Sequence, residues 1–254
     1  MAKLRVWGSV CVVAILVLAG VALVGRWRVH RLTELDGNRA MFIRNLEQAA
    51  HQTPAIDPKT GQRATSTPYA GDLSVFEYAG RNKKLQIDRV MTLLGISKGK
   101  AVADIGAGSG WFTVRAARRV GKTGTVFAED INPQAMEYIE ARAKKEKLSN
   151  VRTVLGVPDD AKLPMGSVDA VLMLKMYHEI AVPVPFMQKL RLALRPGAKV
   201  GIIDRNGSGS GTDHGVPQAV LEREMTEAGY REVGEWDFTK ADGEDYFLIF
   251  EVQR

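Results

Sequence analysis

The sequence predicts an α/β protein built on a doubly wound, mostly parallel sheet, and two patterns support this prediction. After residue 100, short apolar segments alternate with segments whose apolar positions recur at helical spacing. A glycine-rich turn at residues 106–110 joins the first apolar segment to the first helical one. Short, wholly apolar runs are typical of parallel strands that are covered by helices on both faces, so the alternation predicts such a sheet.

The predicted elements follow one another with little interruption. Strands are expected at 101–105, 124–129, 151–155, 168–174, 198–204, 231–239 and 245–253. Helices are expected at 85–94, 110–120, 133–147, 184–194 and 216–228. Pro133 suits a helix start, and Pro196-Gly197 suits the residues after a helix end. A short acidic turn joins the last two strands, which predicts an antiparallel hairpin at the sheet edge.

Composition limits the class of protein and its partners. The chain has 254 residues, 45% of them hydrophobic and 25% charged, as in globular proteins. The net charge is +6, but the basic residues recur at helical spacing beside apolar positions. That spacing indicates solvated helix faces, so we expect no nucleic-acid partner. The single cysteine, Cys11, excludes an intrachain disulfide and a cysteine metal cluster.

The amino terminus is expected to anchor the chain in a membrane. The twenty residues from Val6 to Gly25 carry no charge, and Trp7 and Trp27 stand near the two ends of this stretch, which matches a bilayer-spanning helix and its two interfaces. Residues 1–31 are therefore interpreted as a transmembrane anchor with a basic flank. The excess of arginine after the span predicts a single-pass protein with its large domain in the cytoplasm. The alternative is a cleaved signal peptide and an exported domain.

Residues 32–84 are expected to form a juxtamembrane helix, at about 39–50, followed by a proline-rich linker or lid. This linker contains three aromatic residues, Tyr69, Phe76 and Tyr78. They would either cover an active site or pack on the core of the following domain. That domain is expected to span residues 85–254.

The glycine-rich turn identifies a ligand-binding motif. Asp104 precedes it, and Gly106, Gly108 and Gly110 stand on alternate positions around Ala107 and Ser109. A dinucleotide-binding turn would need a glycine where this chain has Trp111. The pattern instead resembles the first motif of class I S-adenosylmethionine-dependent methyltransferases of the small-molecule type, whose sheet is Rossmann-like and ends in a similar hairpin.

The resemblance implies S-adenosyl-L-methionine as the cofactor and assigns roles to several residues. By this resemblance the glycines let the methionine moiety approach the backbone, and Asp104 faces its amino group. Asp130, rather than the adjacent Glu129, would bind the ribose, and Asp159, with Asp160 close behind, would meet the adenine. Ala107 and Lys175, which follow the first and fourth strands, complete the cofactor-binding candidates.

The candidate catalytic residues follow the fourth and fifth strands. Tyr177 and His178 would orient a nucleophile or take its proton, although a histidine that merely caps the following turn is an equal alternative. Asp204 and His214 are expected to project over the same mouth as His178, and His214 is a second acid–base candidate. No four ligands stand at a recognisable metal-binding spacing, so we expect no metal site.

The predicted function is methyl transfer from S-adenosyl-L-methionine to an unidentified small-molecule or lipid acceptor. The predicted anchor favours an acceptor in or near the bilayer, such as a lipid, a quinone or a membrane protein. Two alternatives remain open. One is a nicotinamide-dependent oxidoreductase, and the other is a non-catalytic methyltransferase-like binding protein.

Overall fold

A computed structural model describes residues 57–253, except residues 58, 61, 70 and 208–213. The chain divides into two units, residues 1–51 and 52–254, and only the second contains described residues. The predicted membrane span at 6–25 and the helix at about 39–50 lie outside them. Among the described residues, no helix is both long and apolar enough to cross a membrane.

Within the described residues, a seven-stranded sheet organises the second unit, and its strand order is β3-β2-β1-β4-β5-β7-β6. The strands are β1 Ala101–Ile105, β2 Thr125–Asp130, β3 Val151–Leu155, β4 Val168–Leu174, β5 Leu194–Asp204, β6 Tyr230–Trp236 and β7 Tyr246–Val252. The first five strands pair in parallel, whereas β7 pairs antiparallel with both β5 and β6. The predicted class of sheet and its antiparallel edge are confirmed.

Helices cover the sheet on both faces. They are α1 Arg81–Leu85, α2 Ile87–Leu93, α3 Trp111–Val120, α4 Pro133–Lys145, α5 Pro183–Leu190 and α6 Gln218–Glu227. Successive residues of a strand point to opposite faces, and β1 shows the result. Val102 packs in the core beneath α2 and α3, and Ala103 packs in the core beneath α5 and α6. The fully apolar strands are explained by burial on both sides.

The structure differs from the predicted elements near the fifth and sixth strands. The predicted helix 184–194 ends early, because β5 already begins at Leu194 and pairs with Val168. Pro196-Gly197 lies inside β5, where the pairing register shifts and Gly197 has a φ of 77°. Such a bulge accepts a residue with positive φ, so the dipeptide does not end the element. Likewise β6 stops at Trp236, because Phe238–Asp242 forms a 3-10 helix.

Candidate functional site

The glycine turn between β1 and α3 has a backbone that favours glycine. Gly106, Gly108 and Gly110 have φ values of 67°, 53° and 70°, all in the left-handed region. A Cβ on Gly106 would lie 2.9 Å from Cγ of Met176, so a side chain there would clash. The turn is fixed from the neighbouring strand, because Ala107 N–H donates to the carbonyl of Glu129 at 2.8 Å.

Three carboxyl groups surround this turn, and two of them are buried. Asp104 accepts a hydrogen bond from Oγ1 of Thr113 at 2.6 Å, and burial raises the pKa of Asp104 to about 7. Glu129 lies in β2 beside it, and burial, together with the charge of Asp130, raises the pKa of Glu129 to about 8. A second negative charge is therefore unfavourable here, whereas a cationic ligand would be stabilised.

Asp130, the last residue of β2, contacts the glycine turn directly. Its Oδ2 accepts from Gly108 N–H at 2.9 Å, and its Oδ1 accepts from Asn132 N–H at 3.0 Å. The site therefore combines backbone that a ligand can approach with carboxylates at its rim. These acceptors suit a ligand with a sulfonium, an ammonium and a ribose diol, and they would repel a pyrophosphate.

The segment before α1 lies against the glycine turn. The ring of Phe76 is 3.6 Å from the position that a Cβ of Gly108 would occupy. Asn132 donates from Nδ2 to the carbonyl of Tyr69 at 2.8 Å. Arg142 of α4 pairs with Glu77 and also donates to the carbonyl of Ser109 at 2.9 Å. We call residues 63–80 the covering segment.

The two adjacent aspartates after β3, Asp159 and Asp160, have different partners. The side chain of Asp159 is half-exposed and pairs with Lys189, whose Nζ is 2.5 Å from its Oδ2. Asp160 accepts from Lys162 N–H at 2.8 Å, and its charge contributes to the raised pKa of Glu129. Asp160 is therefore closer than Asp159 to the carboxylates of the turn, in contrast to the predicted order.

Lys175, a predicted cofactor-binding residue, forms ion pairs with two carboxylates. Its Nζ lies 2.9 Å from Oδ2 of Asp242 and 2.7 Å from Oε1 of Glu244. Tyr78 of the covering segment donates its hydroxyl to the same Asp242. Burial lowers the pKa of Lys175, but the hydrogen bonds to the two carboxylates outweigh burial and raise it. Lys175 therefore links β4 to the covering segment and to the residues before β7.

The structure does not support the predicted catalytic role of Tyr177, because its side chain is fully buried. Its hydroxyl donates to Oε2 of Glu224 at 3.1 Å. Arg63, at the start of the covering segment, donates to both carboxylate oxygens of Glu224 at 2.6 Å and to the carbonyl of Tyr177 at 3.1 Å. Tyr177 thus fastens the covering segment to α6, and its hydroxyl is not available to an acceptor.

The ends of β4 and β5 bring a second polar group together, as the sequence predicts for His178, Asp204 and His214. Asp204 is fully buried and lies 2.8 and 2.9 Å, through its two oxygens, from Nδ1 of His178. It also accepts from the backbone N–H of His178 and of Arg205. Burial lowers the pKa of His178, but the Asp204 carboxylate outweighs burial and raises it.

Glu179 is a member of this group that the sequence prediction missed. Its Oε1 lies 3.5 Å from Nε2 of His178 and 3.5 Å from Nδ1 of His214. Its Oε2 accepts from Ser66 N–H of the covering segment at 2.6 Å. The adjacency of His178 and Glu179 was the available signal, whereas nothing in the sequence indicates Ser66. We call His178, Glu179 and His214 the histidine cluster.

A doubly wound sheet with a glycine turn after its first strand and a carboxylate after its second is an architecture of enzymes that bind nucleoside cofactors. Comparisons with known proteins narrow this class. Residues 102–197 match the family described as a methyltransferase domain. Residues 102–197 are thus similar to a methyltransferase domain, and this similarity implies S-adenosyl-L-methionine as the cofactor.

Individual relatives agree with that family. The chain is 31% identical over 108 residues to tRNA (adenine(58)-N(1))-methyltransferase TrmI from Thermus thermophilus, which covers 42% of this chain and 40% of that protein. It is 24% identical over 110 residues to demethylmenaquinone methyltransferase from Geobacillus, covering 43% of this chain and 47% of that protein. The chain thus spans less than half the length of these relatives.

A solved structure has the same fold. A SAM-dependent methyltransferase from Aquifex aeolicus superimposes with a TM-score of 0.63 at 22% identity, covering 71% of this chain and 96% of that chain.

Proposed function

We propose that this protein transfers a methyl group from S-adenosyl-L-methionine to an acceptor that binds at the carboxyl ends of β4 and β5. The observation that carries the proposal is the presence of two separate polar groups at one edge of the sheet. The glycine turn and Asp130 provide a cofactor side, and the histidine cluster provides an acceptor side. A protein that only bound the cofactor would not need the second group.

On the cofactor side, Gly106, Gly108 and Gly110 would receive the methionine moiety, and Asp130 would accept hydrogen bonds from the ribose hydroxyls. Asp104 and Glu129 would provide negative charge for the cationic cofactor. The cofactor supplies an electrophilic methyl group, which an acceptor lone pair takes by in-line displacement. The protein contributes proximity, orientation and exclusion of water, the last through the covering segment.

On the acceptor side, His178 would orient the acceptor or receive its proton. Asp204 holds Nδ1 of His178, which fixes the ring and leaves Nε2 directed towards Glu179 and His214. His214 is partly exposed, with 35% of its side chain accessible, so it can meet a ligand at the surface. This arrangement supports methylation of an acceptor that must lose a proton.

The acceptor class and the location of the protein belong to the same proposal. The uncharged stretch at residues 6–25 favours a single-pass anchor with the catalytic domain in the cytoplasm, and an acceptor in the bilayer such as a lipid or a quinone. The demethylmenaquinone methyltransferase among the relatives is consistent with a quinone acceptor.

Transfer of a labelled methyl group tests the proposal. The full-length protein would be incubated with methyl-labelled S-adenosyl-L-methionine and separated membrane, small-molecule and RNA fractions. We expect label in the membrane lipid fraction. Label in RNA would contradict the proposed acceptor, and binding of NAD without binding of S-adenosyl-L-methionine would contradict the proposed reaction.

A further inference from the structure

We propose that the histidine cluster binds one divalent transition-metal ion, for which Zn²⁺ is the probe of choice. The ligands would be Nε2 of His178, Oε1 of Glu179 and Nδ1 of His214. One ligand atom from each of these three residues lies within 4.8 Å of the other two. The sequence alone predicts no metal site, because no four ligands stand at a recognisable spacing along the chain. In the folded protein, however, His214 lies beside residues 178–179, although it is distant from them in sequence.

The distances favour a metal over direct hydrogen bonds. Glu179 Oε1 is 3.5 Å from each of the two histidine nitrogens. Well-formed N–H···O hydrogen bonds have donor–acceptor distances of about 2.7–3.2 Å, so both contacts are long. With metal–ligand bonds of about 2.0–2.2 Å, neighbouring ligand atoms in a tetrahedral site stand about 3.3–3.6 Å apart. The observed spacing around Oε1 matches the second arrangement.

The surroundings hold each ligand in the orientation that a metal requires. Asp204 engages Nδ1 of His178, so Nδ1 carries the proton and the lone pair of Nε2 faces the cluster. Ser66 N–H engages Oε2 of Glu179 and leaves Oε1 free to coordinate. Arg205 donates from Nε to the carbonyl of His214 at 2.6 Å and so fixes the main chain that carries the third ligand.

The charge of the cluster and its access to solvent also support a metal site. Glu179 and Asp204 supply two negative charges beside two neutral imidazoles, which balances a divalent cation. Two histidines with one carboxylate leave coordination positions open, as in catalytic zinc and iron sites. His214 and Glu179 are partly exposed, so these positions face the mouth of the site. A cation held there favours an acceptor hydroxyl as a ligand and lowers the pKa of that hydroxyl.

The role of the metal in binding the acceptor rests on the proposed function, whereas metal binding itself does not. A metal-bound acceptor would be a molecule with a hydroxyl or enol oxygen. Because Nε2 of His178 is a ligand in the metal-bound site, the hydroxyl proton passes to solvent and not to His178. The oxygen forms a bond to the methyl carbon, and the carbon–sulfur bond of the cofactor breaks to leave a neutral thioether.

Metal binding is tested on the full-length protein after treatment with a chelator. Calorimetric titration with Zn²⁺ should give one equivalent per chain, and Co²⁺ should produce visible ligand-field bands. Glu179→Gln and His214→Ala should each weaken Zn²⁺ binding at least about tenfold and remove the Co²⁺ bands. The matched control is Glu251→Gln, because the exposed fraction of that side chain, 25%, is close to the 27% of Glu179.

Titration with S-adenosyl-L-methionine checks that each variant is folded. Zn²⁺ binding that is absent from the wild type, or equal in the wild type and both variants, overturns the metal site. If a variant also loses cofactor binding, NMR spectra of the wild type test the metal site instead. Zn²⁺ must then shift the imidazole signals of both His178 and His214. If the protein binds S-adenosyl-L-methionine but no Zn²⁺, the metal site is contradicted and the proposed function is not. If it binds Zn²⁺ but no S-adenosyl-L-methionine, the proposed function is contradicted.

Discussion

The cofactor side and the acceptor side of this site are built in different ways. The cofactor side comes from two consecutive strand–turn units, and its main residues, Asp104 to Gly110 and Asp130, lie within 27 positions of the chain. The acceptor side joins the covering segment, the end of β4, the end of β5 and the loop before α6. A site from neighbouring segments can be recognised as a motif, whereas a site from distant segments depends on the fold to assemble it.

The two sides also differ in how they hold charge. On the cofactor side, the carboxyl groups of Asp104 and Glu129 are buried beside a third carboxylate, and no basic side chain forms an ion pair with them in the described residues. On the acceptor side, the buried carboxylate of Asp204 has His178 as its partner, and the partly buried carboxylate of Glu224 has Arg63. The first side is thus prepared for a cationic ligand, and the second is organised before any ligand arrives.

The largest expected effect separates the two sides directly. Replacing Asp130 with alanine removes the carboxylate that is proposed to accept hydrogen bonds from the ribose. It also removes the hydrogen bond from Gly108 N–H to that carboxylate. Two charge-assisted hydrogen bonds contribute about 3 kcal/mol together, so the dissociation constant of S-adenosyl-L-methionine should rise at least about 100-fold. Calorimetry measures it, and Zn²⁺ binding should be unchanged. Asp159→Ala is the control, and a larger loss in that variant would restore the predicted role of Asp159.

The next effect concerns the attachment of the covering segment on the acceptor side. Arg63→Met leaves the Glu224 carboxylate without its cation in a mostly buried place, so the free energy of unfolding should fall by about 3 kcal/mol. Urea denaturation measures the change. Lys189→Met removes an exposed ion pair and should cost less than about 1 kcal/mol. Equal losses would show that the Arg63 pair is no more important than a surface contact.

On the cofactor side, a pH-dependent effect follows from the raised pKa of a buried carboxyl group. Because the folded pKa of Glu129 is about 8, against an ordinary value of 4.5, the folded state holds a proton that the unfolded state has lost between those pH values. The stability that this carboxyl contributes is therefore full below about pH 4.5 and is lost as pH rises through 8.

Glu129→Gln should remove that loss and stabilise the ligand-free protein above pH 8 by about 1–3 kcal/mol. Urea denaturation at acidic and alkaline pH, with Glu251→Gln as the exposed control, measures it. In the wild type, affinity for the cationic cofactor should rise as Glu129 ionises, and in the variant it should not. An unchanged pH slope in Glu129→Gln would show that another group is responsible.

The smallest expected effect tests the cover over the glycine turn. Phe76→Ala removes the ring that lies against Gly108, and the dissociation rate of S-adenosyl-L-methionine should rise about five- to tenfold. Rapid-mixing fluorescence measures this rate. Val75→Ala, in the same 3-10 turn but more exposed, should leave the rate unchanged. Equal effects of the two changes would mean that the segment as a whole, rather than the ring, retains the cofactor.

Much of the fold follows from local patterns in the sequence. Strands β1, β3 and β4 begin and end at the predicted residues, because a short apolar run between polar turns has one favourable length as a buried strand. Pro196-Gly197 was misleading because the same dipeptide ends a helix or forms a bulge, and only the pairing with Val168 decides between them.

The candidate site was predictable where contacts are local. The hydrogen bond between Asp130 and Gly108 joins residues 22 positions apart, within one strand–helix–strand unit. The partners of Tyr177 and Lys175, by contrast, lie 47 and 67 positions away, on α6 and before β7. The sequence places these two residues at a strand end, but it does not show which distant group will satisfy their polar atoms.

The covering segment touches both sides of the site, with Phe76 at the glycine turn and Ser66 at Glu179. A segment shared in this way gives the two ligands a coupling free energy, which acts equally in both directions. If cofactor binding settles the segment, acceptor affinity must rise by the same factor that the acceptor confers on the cofactor. We therefore expect each substrate to bind more tightly when the other is present.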